Sequence, residues 1–413
     1  MLRISRYLQR GSRQSGELAA ELGVERSTLT RAYQRESASL LRLGRARATR
    51  YATRQTYAGL DEDTFPVFRV DETGSIARAG RFITLANYES VWLPDETIID
   101  GLPPEFHDVA PMGFVGRSFA QRHASIGLPD NVDQWSDHHV LLALTRRGED
   151  QPGNLVIGRE SFDRWQALDS DDYTIDDFPA LAEAALEGEP VGSSAGGEQP
   201  KFSVLLGDQH KLVKFANNRS DTARRWQDLL ALEYVALETL RQAGISTARA
   251  TLHDVGDYRC LAVDRFDRIA KTGRRAVMTL AAATSRASVS WSEAARQLHL
   301  ENTLSTDDVE LLTLLDAFGA QIANTDRHLY NVLLYPMDDG YVLAPVFDQL
   351  PMAYAPPVSG NLRMSAVDSP RPNVDTFDLW AEAQDLARGF WNAASAQLLS
   401  DDMMAIVAEH TGR

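Results

Sequence analysis

The sequence predicts an α+β protein made of a small helical head, a strand-rich middle segment and a larger two-lobed body. Three observations predict this class. Residues 1–57 contain two helical patterns, residues 58–175 contain short apolar runs between turn-forming residues, and the remainder starts with paired strands and ends in helices. With 413 residues, 44% of them hydrophobic and 24% charged, the chain is long enough for two or three domains with cores of their own.

Composition excludes several classes of protein. A single cysteine, Cys260, excludes an internal disulfide framework and indicates a reducing compartment, where a lone cysteine usually serves as a small buried apolar residue. The arginine-rich N-terminus is too polar for a secretory signal, and the sequence contains no run of about 18 apolar residues that could span a bilayer. We therefore expect a cytoplasmic protein without a membrane partner.

The charge is divided unevenly along the chain. Residues 1–57 hold twelve arginines, no lysine and four glutamates, which gives them a net charge of +8. Because the whole chain carries −16, the other residues carry −24. The acidic body disfavours a polyanionic partner, whereas the basic head favours one.

The head contains the pattern of two short helices that meet at a turn. Gly23 can adopt the positive φ angle of such a turn, and Ala19 is a small residue where the helices would cross. Apolar residues recur at helical spacing on both sides of the glycine, at Leu18, Ala19, Leu22, Leu29, Ala32 and Tyr33. The pattern predicts a helix-turn-helix.

The second helix of this pair, opening near Ser27 or at Val24-Glu25, would carry the side chains that reach DNA. We expect contacts to base edges or phosphates from Arg26, Ser27, Thr28, Thr30 and Arg31. The following segment, LLRLGRARATRYATRQ, predicts a hairpin with its turn at Gly44, which would form an arginine-rich wing. Residues 1–57 are thus predicted to be a winged helix-turn-helix that binds DNA; an αα-hairpin with a solvated basic face is the alternative.

Residues 58–175 predict a mixed, strand-rich module. Its strand-like runs are PVFRV, RFITL, ESVWL, HHVLLALT and GNLVIG, and turn-forming residues separate them. His138 and His139 are adjacent, but no third side chain at metal-ligand spacing accompanies them, so we interpret them as structural. The module offers no catalytic constellation.

A glycine-rich loop followed by two strands opens the body. Gly192–Gly197 leads to Pro200 and Lys201, then to the strand FSVLL, the turn GDQH and the strand KLVKF, which ends near Lys214. Glycines allow backbone N–H groups to approach an anion, and a lysine on a neighbouring strand can contact α- and β-phosphates. The segment matches neither common phosphate-loop consensus, so an ordinary turn stays open as an interpretation.

A helix pattern, DLLALEYVALETLRQAGI, follows these strands, with Glu233 beside its apolar face and Gly244 at its end. Glu233 could be a solvated helix residue, or it could reach Lys214 as the helix glutamate of protein kinases reaches its lysine. The next apolar strand, CLAVDRFDR, ends in charged residues and predicts the connection between two lobes.

The segment NTDRHLYNVLL places Asp326 and Asn331 five residues apart. This is the spacing of the kinase catalytic loop, where the aspartate accepts a proton from the attacking hydroxyl and the asparagine binds Mg²⁺. Two apolar strands around Asp339-Gly340 predict a hairpin whose second strand ends at Asp348, so that Asn331 and Asp348 lie close enough to share a cation. An Asp- and Asn-rich turn before an ordinary hairpin is the simpler alternative.

The motifs SAGGEQPK, KLVKF, DRFDR, NTDRHLYN and VFDQL resemble those of the HipA family of serine/threonine kinases, the toxins of bacterial toxin-antitoxin pairs. The resemblance runs from about residue 60 to the C-terminus and is greatest to the YjjJ-like branch, in which a helix-turn-helix is fused ahead of the kinase. It implies a bilobal protein-kinase-like fold with an extra N-terminal β-rich subdomain, preceded by a winged helix-turn-helix. The implied domains are residues 1–57, 58–175, 176–267 (the N-lobe with phosphate loop and hinge) and 268–413 (the helical C-lobe with the catalytic loop).

The resemblance also implies roles for individual residues. Asp326 corresponds to the catalytic aspartate, and Asn331 and Asp348 correspond to the Mg²⁺ ligands. Ser194 corresponds to a serine whose autophosphorylation expels the phosphate loop and switches the kinase off. The positions implied to bind ATP are Gly196, Gly197, Lys201, Lys214, Asp264 and Phe266. Glu198 departs from the pattern, because it adds a negative charge beside the expected phosphates.

The resulting hypothesis is a toxin that transfers the γ-phosphate of Mg²⁺-ATP to a protein serine or threonine and binds DNA through residues 1–57. ATP and Mg²⁺ are its expected cofactors. Whether it needs a separate antitoxin and whether it forms a homodimer stay open. Because DRHxxN also resembles the catalytic loop of lipid kinases, a small-molecule or lipid kinase is one alternative; a transcription regulator whose kinase-like body only senses nucleotide is the other.

Overall fold

The computed structural model describes residues 2–111, 113–167, 173–186, 199–284, 286, 289–357 and 362–412. Within these ranges the chain forms an α+β structure, as the sequence predicts. None of the helices in these ranges is long and apolar enough to cross a membrane.

The N-terminal head consists of helices packed on a small antiparallel sheet. Its elements are β1 (Arg13–Gln14), α1 (Ser15–Leu22), α2 (Arg26–Glu36), β2 (Leu40–Leu43) and β3 (Arg50–Thr53), with the strands in the order β1-β3-β2. Gly23 joins the two helices at φ 63°, and its N–H donates to the carbonyls of Ala19 and Ala20, so the predicted turn is confirmed. A 3₁₀ helix over Ile4–Arg10, absent from the sequence prediction, adds apolar side chains to the core of the head.

The predicted hairpin is present, and it packs against the middle segment. β2 pairs with β3 along its whole length, and their connection contains Gly44 at φ 69°. The Gly44 N–H donates to Glu96 Oε2 at 2.9 Å, and the Ser12 N–H donates to Glu89 Oε2 at 2.7 Å. A single buried cluster spans both segments and contains Leu41, Leu43, Ala52, Ile83, Leu85 and Val91. The head is therefore attached to the middle segment by packing as well as by the chain.

The middle segment is an antiparallel sheet covered by helices. Its strands are β4 (Thr64–Val70), β5 (Ile76–Thr84), β6 (Glu89–Leu93), β7 (Ile98–Asp100) and β8 (Leu155–Ile157), in the order β7-β6-β5-β4-β8. Its helices are α3 (Pro104–Asp108), α4 (Gly113–Arg122), α5 (Asp137–Arg147) and α6 (Arg159–Gln166). Apolar side chains of both layers form one core, which includes Phe82, Phe106 and Leu141.

The run HHVLLALT, predicted as a strand, lies in helix α5, so that prediction was wrong. Every residue from 140 to 145 is buried, and the run therefore has no alternation from which its period can be told. Its helical signals lie at the ends, where Ser136 and His139 form a capping box and Gly148 follows the last turn. Ser136 Oγ also lies 2.7 Å from His138 Nδ1, which agrees with a structural role for the two histidines.

The smaller lobe of the body is a sheet between two helices. Its elements are α7 (Phe178–Leu186), β9 (Lys201–Leu206), β10 (Gln209–Asn217), α8 (Asp221–Gln242), β11 (Ala250–Val255) and β12 (Tyr258–Asp264), with antiparallel strands in the order β11-β12-β10-β9. α7 covers one face through a cluster that includes Phe178 and Phe215, and α8 packs on the other. Cys260 lies in the α7 cluster, where burial raises the pKa of its thiol to about 12, so it is the buried apolar residue that the composition predicts.

The larger lobe is mostly helical. Its strands are β13 (Arg268–Ile269), β14 (Gly273–Arg274), β15 (Met278–Thr279), β16 (Leu333–Met337) and β17 (Gly340–Leu343), of which the last three form a sheet in the order β15-β16-β17. Its helices are α9 (Leu280–Thr284), α10 (Trp291–Leu300), α11 (Thr306–Gln321), α12 (Trp380–Ala394) and α13 (Asp401–Thr411). Their apolar faces share one core with the inner face of α8.

The β16–β17 hairpin differs in detail from the prediction. Its turn is Asp338-Asp339 rather than Asp339-Gly340, because Gly340 already pairs with Met337. Glycine is required there by a close approach instead: at φ 141°, a Cβ on Gly340 would lie 2.3 Å from a neighbouring carbonyl oxygen. The second strand ends at Leu343 and not at Asp348, so an irregular segment carries Asp348 onward.

A buried ion network joins the middle segment to the connection between the lobes. The Asp267 carboxylate accepts from Arg265 Nη2 at 3.0 Å, from Arg268 Nη1 at 2.6 Å and from the Gly153 N–H at 3.1 Å. Arg268 also donates to the carbonyls of Gly153 and Gln151, at 3.0 and 2.7 Å. The motif DRFDR predicts a connector but not this network, whose partners Arg268 and Gly153 stand 115 residues apart.

We expect Asp267→Asn to destabilise the protein by about 3 kcal/mol at neutral pH, because it takes from the buried Arg265 and Arg268 one of the two carboxylates, Asp267 and Asp150, that pair with them. Burial alone would raise the pKa of Asp267, but Arg265, Arg268 and the Gly153 N–H lower it well below its ordinary value. A carboxyl group with a lowered pKa stabilises the fold above its unfolded pKa of about 3.9 and loses that effect as the pH falls. The difference in thermal midpoint between wild type and variant should therefore shrink below about pH 4.

Thermal unfolding followed by circular dichroism across this pH range measures the difference. Asp385→Asn is the matched control, because it removes a carboxylate from an exposed ion pair of the same 2.6 Å length and should leave the midpoint near the wild-type value. A midpoint for Asp267→Asn that equals wild type at neutral pH would contradict the contribution assigned to the network.

Candidate active site

Lys214 is the centre of the candidate site. Residues alternate along β10, so Val213 and Phe215 pack beneath α7 while Lys214 points to the α8 side. The Lys214 side chain is 7% exposed, and its Nζ donates to both carboxylate oxygens of Glu233 at 2.7 and 2.8 Å. The same Nζ donates to Oδ1 of Asp348. The contact that the sequence left open, Lys214 with Glu233, is therefore formed.

Two carboxylates share this one ammonium group. Burial alone would lower the pKa of Lys214, but Asp348 and Glu233 outweigh it and raise the pKa above its ordinary value. Burial raises the pKa of Glu233; for Asp348, the attraction of Lys214 and Lys201 outweighs burial and lowers the pKa. Lys201 stands opposite Lys214 on the neighbouring strand. At neutral pH the site therefore holds a charged Lys214 against an ionised Asp348.

The NTDRHLYN motif follows α11 as a turn held by its own side chains. Asn324 is fully buried, and its Oδ1 accepts from the Asp326 N–H at 3.0 Å. Asn331 Nδ2 donates to the Asp326 carbonyl oxygen at 2.8 Å, which closes the turn. The Asp326 side chain itself is 42% exposed, so a hydroxyl group of another molecule can reach it.

His328 contacts Asp326 and lies near Asp348. Its Nε2 lies 3.3 Å from Asp326 Oδ1, and its ring is close enough to Asp348 to contribute to the lowered pKa of that carboxyl. Gln349, next to Asp348, lines a small cavity together with Asn331. Asp326, Asn331 and Asp348 thus gather in one region of the larger lobe. The sequence prediction gave His328 no role, although its place in the DRHxxN motif could have indicated one.

The oxygen donors of Asn331 and Asp348 suit Mg²⁺. In phosphoryl-transfer sites Mg²⁺ is held by one or two carboxylates together with substrate phosphates and waters, and not by an all-protein cage. Within the described ranges, no group of three or more His, Cys, Asp or Glu side chains is placed to hold a metal ion. Asn331 and Asp348 could supply the protein ligands of a cation that is also bound by phosphates.

The two predicted hinge residues lie where the lobes meet. Asp264 ends β12, and its carboxylate pairs with Lys211 of the adjacent strand. Phe266 packs against Phe347 with ring centroids 5.8 Å apart. The hinge therefore touches the residue that precedes Asp348.

The glycine-rich loop leads into β9 beside Lys214. Three of its predicted residues, Ser194, Gly196 and Gly197, lie outside the described part of the chain, whereas the predicted Lys201 begins β9. At the end of the loop, Gln199 Nε2 donates to the Phe215 carbonyl at 2.6 Å, and the Phe215 N–H donates to the Pro200 carbonyl at 3.1 Å. These two bonds anchor the loop's exit next to the lysine.

The residues predicted to contact DNA occupy the first two turns of α2. Arg26, Ser27 and Arg31 are exposed, and Thr28 and Thr30 are partly buried. Thr30 Oγ1 donates to the Arg26 carbonyl at 3.2 Å, and Arg31 Nη2 donates to Thr28 Oγ1 at 3.4 Å. The hairpin exposes further arginines, namely Arg42, Arg45 and Arg47.

Comparison with known proteins identifies relatives of most of the chain. The family model described as "YjjJ-like toxin, middle domain" matches residues 61–166, and the model described as "HipA-like C-terminal domain" matches residues 193–411. The curated protein "Toxin YjjJ" of Escherichia coli (strain K12) is 33% identical over 420 residues, covering 96% of this chain and 93% of that protein.

Two solved structures are similar at low identity. HipA of Shewanella oneidensis MR-1, solved with HipB and its operator DNA, aligns with 75% of this chain and 83% of its own at 15% identity, with a TM-score of 0.49. The proinflammatory kinase CtkA of Helicobacter pylori aligns with 52% of this chain and 90% of its own at 13% identity, with a TM-score of 0.35.

We expect Lys214→Met to weaken the binding of Mg²⁺-ATP by about tenfold or more, because a hydrogen bond to a charged group contributes about 1.5–3 kcal/mol. Glu233→Gln keeps the ammonium group but removes the carboxylate that orients it, so it should weaken binding less than Lys214→Met does. Isothermal titration calorimetry measures both affinities.

Lys271→Met is the matched control, because Lys271 is exposed and the substitution is the same. Circular dichroism establishes that each variant is folded before titration. If wild type and a folded Lys214→Met bind ATP with equal affinity, Lys214 does not contribute to nucleotide binding.

Proposed function

Because the chain belongs to the YjjJ branch of the HipA-like toxin family, we propose that it is a kinase that transfers the γ-phosphate of Mg²⁺-ATP to a serine or threonine of a protein. The observation that carries the proposal is the buried Lys214–Glu233 pair, which also contacts Asp348. Burying an ammonium group between two carboxylates contributes little to stability. Kinases, in contrast, need this arrangement to hold phosphates and metal.

In the proposed reaction each residue has one task. Lys214 donates to phosphate oxygens of the nucleotide, and Asn331 and Asp348 are the protein ligands of Mg²⁺. When bound, Mg²⁺ neutralises the charge that develops on the transferred group. Asp326 accepts the proton of the acceptor hydroxyl while the oxygen of that hydroxyl forms a bond to the γ-phosphorus. The bond between the γ-phosphorus and the ADP oxygen breaks in the same step. The exposure of the Asp326 carboxylate supports an acceptor on another protein.

The nucleotide's other contacts are assigned by family membership. Asp264 and Phe266 would border the adenine, and Gly196, Gly197 and Lys201 would contact the phosphates. The anchored exit of the glycine-rich loop beside Lys214 supports that assignment. Ser194 is the proposed autophosphorylation site, whose modification would withdraw this loop from the nucleotide.

We expect Asp326→Asn to slow phosphoryl transfer by at least about a hundredfold, because an amide cannot accept the hydroxyl proton. Purified wild type and variant are incubated with radiolabelled ATP, Mg²⁺ and a cell lysate, and the label in protein is counted after electrophoresis. Asp338→Asn, in the exposed turn of the β16–β17 hairpin, is the matched control and should transfer phosphate at the wild-type rate. Wild-type transfer by Asp326→Asn would exclude Asp326 as the base.

The same incubation without lysate examines Ser194. The intact mass of the wild type should rise by one phosphate, and that of Ser194→Ala should not. An equal rise in both proteins would show that a residue other than Ser194 is modified.

If the wild type turns over no ATP at all, the result favours the alternative function, in which the body senses nucleotide and is not an enzyme.

We also propose that the head binds DNA through α2, with the hairpin as a wing. The net charge of +8 in residues 1–57 and the exposed arginines on both elements support this function. Because the head packs on the middle segment, DNA bound there would be held next to the body and not at the end of a free linker.

We expect Arg31→Ala to weaken binding to a random-sequence DNA duplex and to reduce the slope of log affinity against log salt by about 1, because one phosphate contact fewer releases about one counterion fewer. Fluorescence anisotropy at several salt concentrations measures both. Arg78→Ala is the control, since it removes one exposed arginine from the middle segment. Identical affinities and slopes in the two variants would argue against α2 as the DNA contact.

A further inference from the structure

We infer that Arg327 is a positioning residue that holds the catalytic loop in its working conformation; this inference rests on the proposed kinase function. Arg327 is bonded to Asp316, which is bonded to Ser292, and its side chain passes over Gly319. We call these four residues the Arg327 anchor.

The anchor connects three elements of the larger lobe. Arg327 Nε donates to Asp316 Oδ1 on α11 at 3.1 Å. The other oxygen of Asp316 accepts from the hydroxyl of Ser292 at 2.8 Å and from its N–H at 3.4 Å, at the start of α10. Asp316 is 7% exposed, so its two carboxylate oxygens are held by protein groups rather than by solvent. The guanidinium group of Arg327 is therefore fixed relative to both helices.

The anchor reaches Asp326 through Asn324. Arg327 Nη1 donates to the Asn324 carbonyl oxygen, and the Asn324 N–H donates to the Gly319 carbonyl at 2.8 Å. Asn324 Oδ1 in turn accepts from the Asp326 N–H at 3.0 Å. Asn324 is thus held at its carbonyl, its N–H and its side chain, and it holds the backbone of Asp326. A shift of the Arg327 guanidinium group would break its hydrogen bond to the Asn324 carbonyl. Asn324 would then hold the backbone of Asp326 less firmly.

Gly319 provides independent evidence for this role. Glycine inside a helix is less favourable than alanine, so its presence in α11 needs a reason. A Cβ at Gly319 would lie 2.5 Å from Cδ and 3.3 Å from Cγ of Arg327. The helix therefore leaves room for the arginine stem at the cost of helix propensity. Gly319→Ala should favour the helix and displace Arg327 at the same time, which separates catalysis from stability.

An ion pair that only stabilises the lobe would behave differently from a positioning residue. Loss of stability lowers the thermal midpoint and leaves the kcat of the folded protein unchanged. Displacement of Asp326 lowers kcat and leaves the KM for ATP nearly unchanged, because Lys214 and the hinge are untouched. A misplacement of about 1 Å in an active site can slow a reaction by about a hundredfold.

The experiment measures kcat, KM for ATP and the thermal midpoint of wild type and four variants. Arg327→Ala and Gly319→Ala should each lower kcat by about tenfold or more with KM for ATP within about twofold of wild type. Arg327→Lys should give an intermediate kcat, because an ammonium group cannot bond Asp316 and the Asn324 carbonyl with the fixed fork of a guanidinium. Gly389→Ala is the matched control and should keep the wild-type kcat, since its Cβ would meet only Thr239 Cγ2 at an ordinary 3.8 Å.

A wild-type kcat in Gly319→Ala would overturn the inference, and so would a loss that is confined to KM. If Arg327→Ala does not fold, Gly319→Ala decides, because it deletes no hydrogen bond. The experiment distinguishes failure of the proposed kinase function from failure of the positioning role of Arg327. A wild type without phosphoryl transfer refutes the proposed function and the role of Arg327 with it, whereas an active wild type with fully active variants refutes the role of Arg327 alone.

Discussion

The arrangement of the body depends on the buried ammonium group of Lys214. Removing a charged lysine from water costs several kcal/mol unless oppositely charged groups replace the water. Glu233 on α8 and Asp348 beyond the β16–β17 hairpin supply those charges. The sheet of the smaller lobe, helix α8 and the larger lobe must therefore meet at one point, and the candidate active site forms where they meet.

Helix α8 extends this constraint into the larger lobe. Besides Glu233, it carries Arg225, whose Nη1 donates to the Arg363 carbonyl at 3.0 Å, and Asp228, which accepts from the N–H and hydroxyl of Ser400 at 2.9 and 2.6 Å. Each of these three charged side chains, Glu233, Arg225 and Asp228, is almost completely buried. One helix thus bonds to the lysine strand, to the segment beyond Asp348 and to the start of α13. A shift of α8 would act on the lysine and on the proposed metal ligand together.

Short-range patterns predict the site better than they predict its surroundings. The analogy with the lysine–glutamate pair of protein kinases suggests the Lys214–Glu233 contact, and the spacing of the kinase catalytic loop suggests Asp326 with Asn331. The strand prediction for HHVLLALT was wrong because all residues from 140 to 145 are buried, so their pattern shows neither a strand period nor a helix period. The Asp267 network joins residues 114 apart in the chain. The Arg327 anchor depends on the direction in which an arginine turns, which no spacing encodes.

The charges at Lys214 explain why metal and nucleotide would bind together in the proposed mechanism. One ammonium group faces two carboxylates, so a nucleotide that arrived alone would draw Lys214 away from Asp348 and add phosphate charge beside an unpaired carboxylate. A divalent cation held by Asp348 would supply the positive charge that makes that interaction favourable. Glu233 binds the lysine through both oxygens and keeps it in place throughout. Asp348 would therefore be free to hold the metal only if phosphate also accepted the hydrogen bond of Lys214.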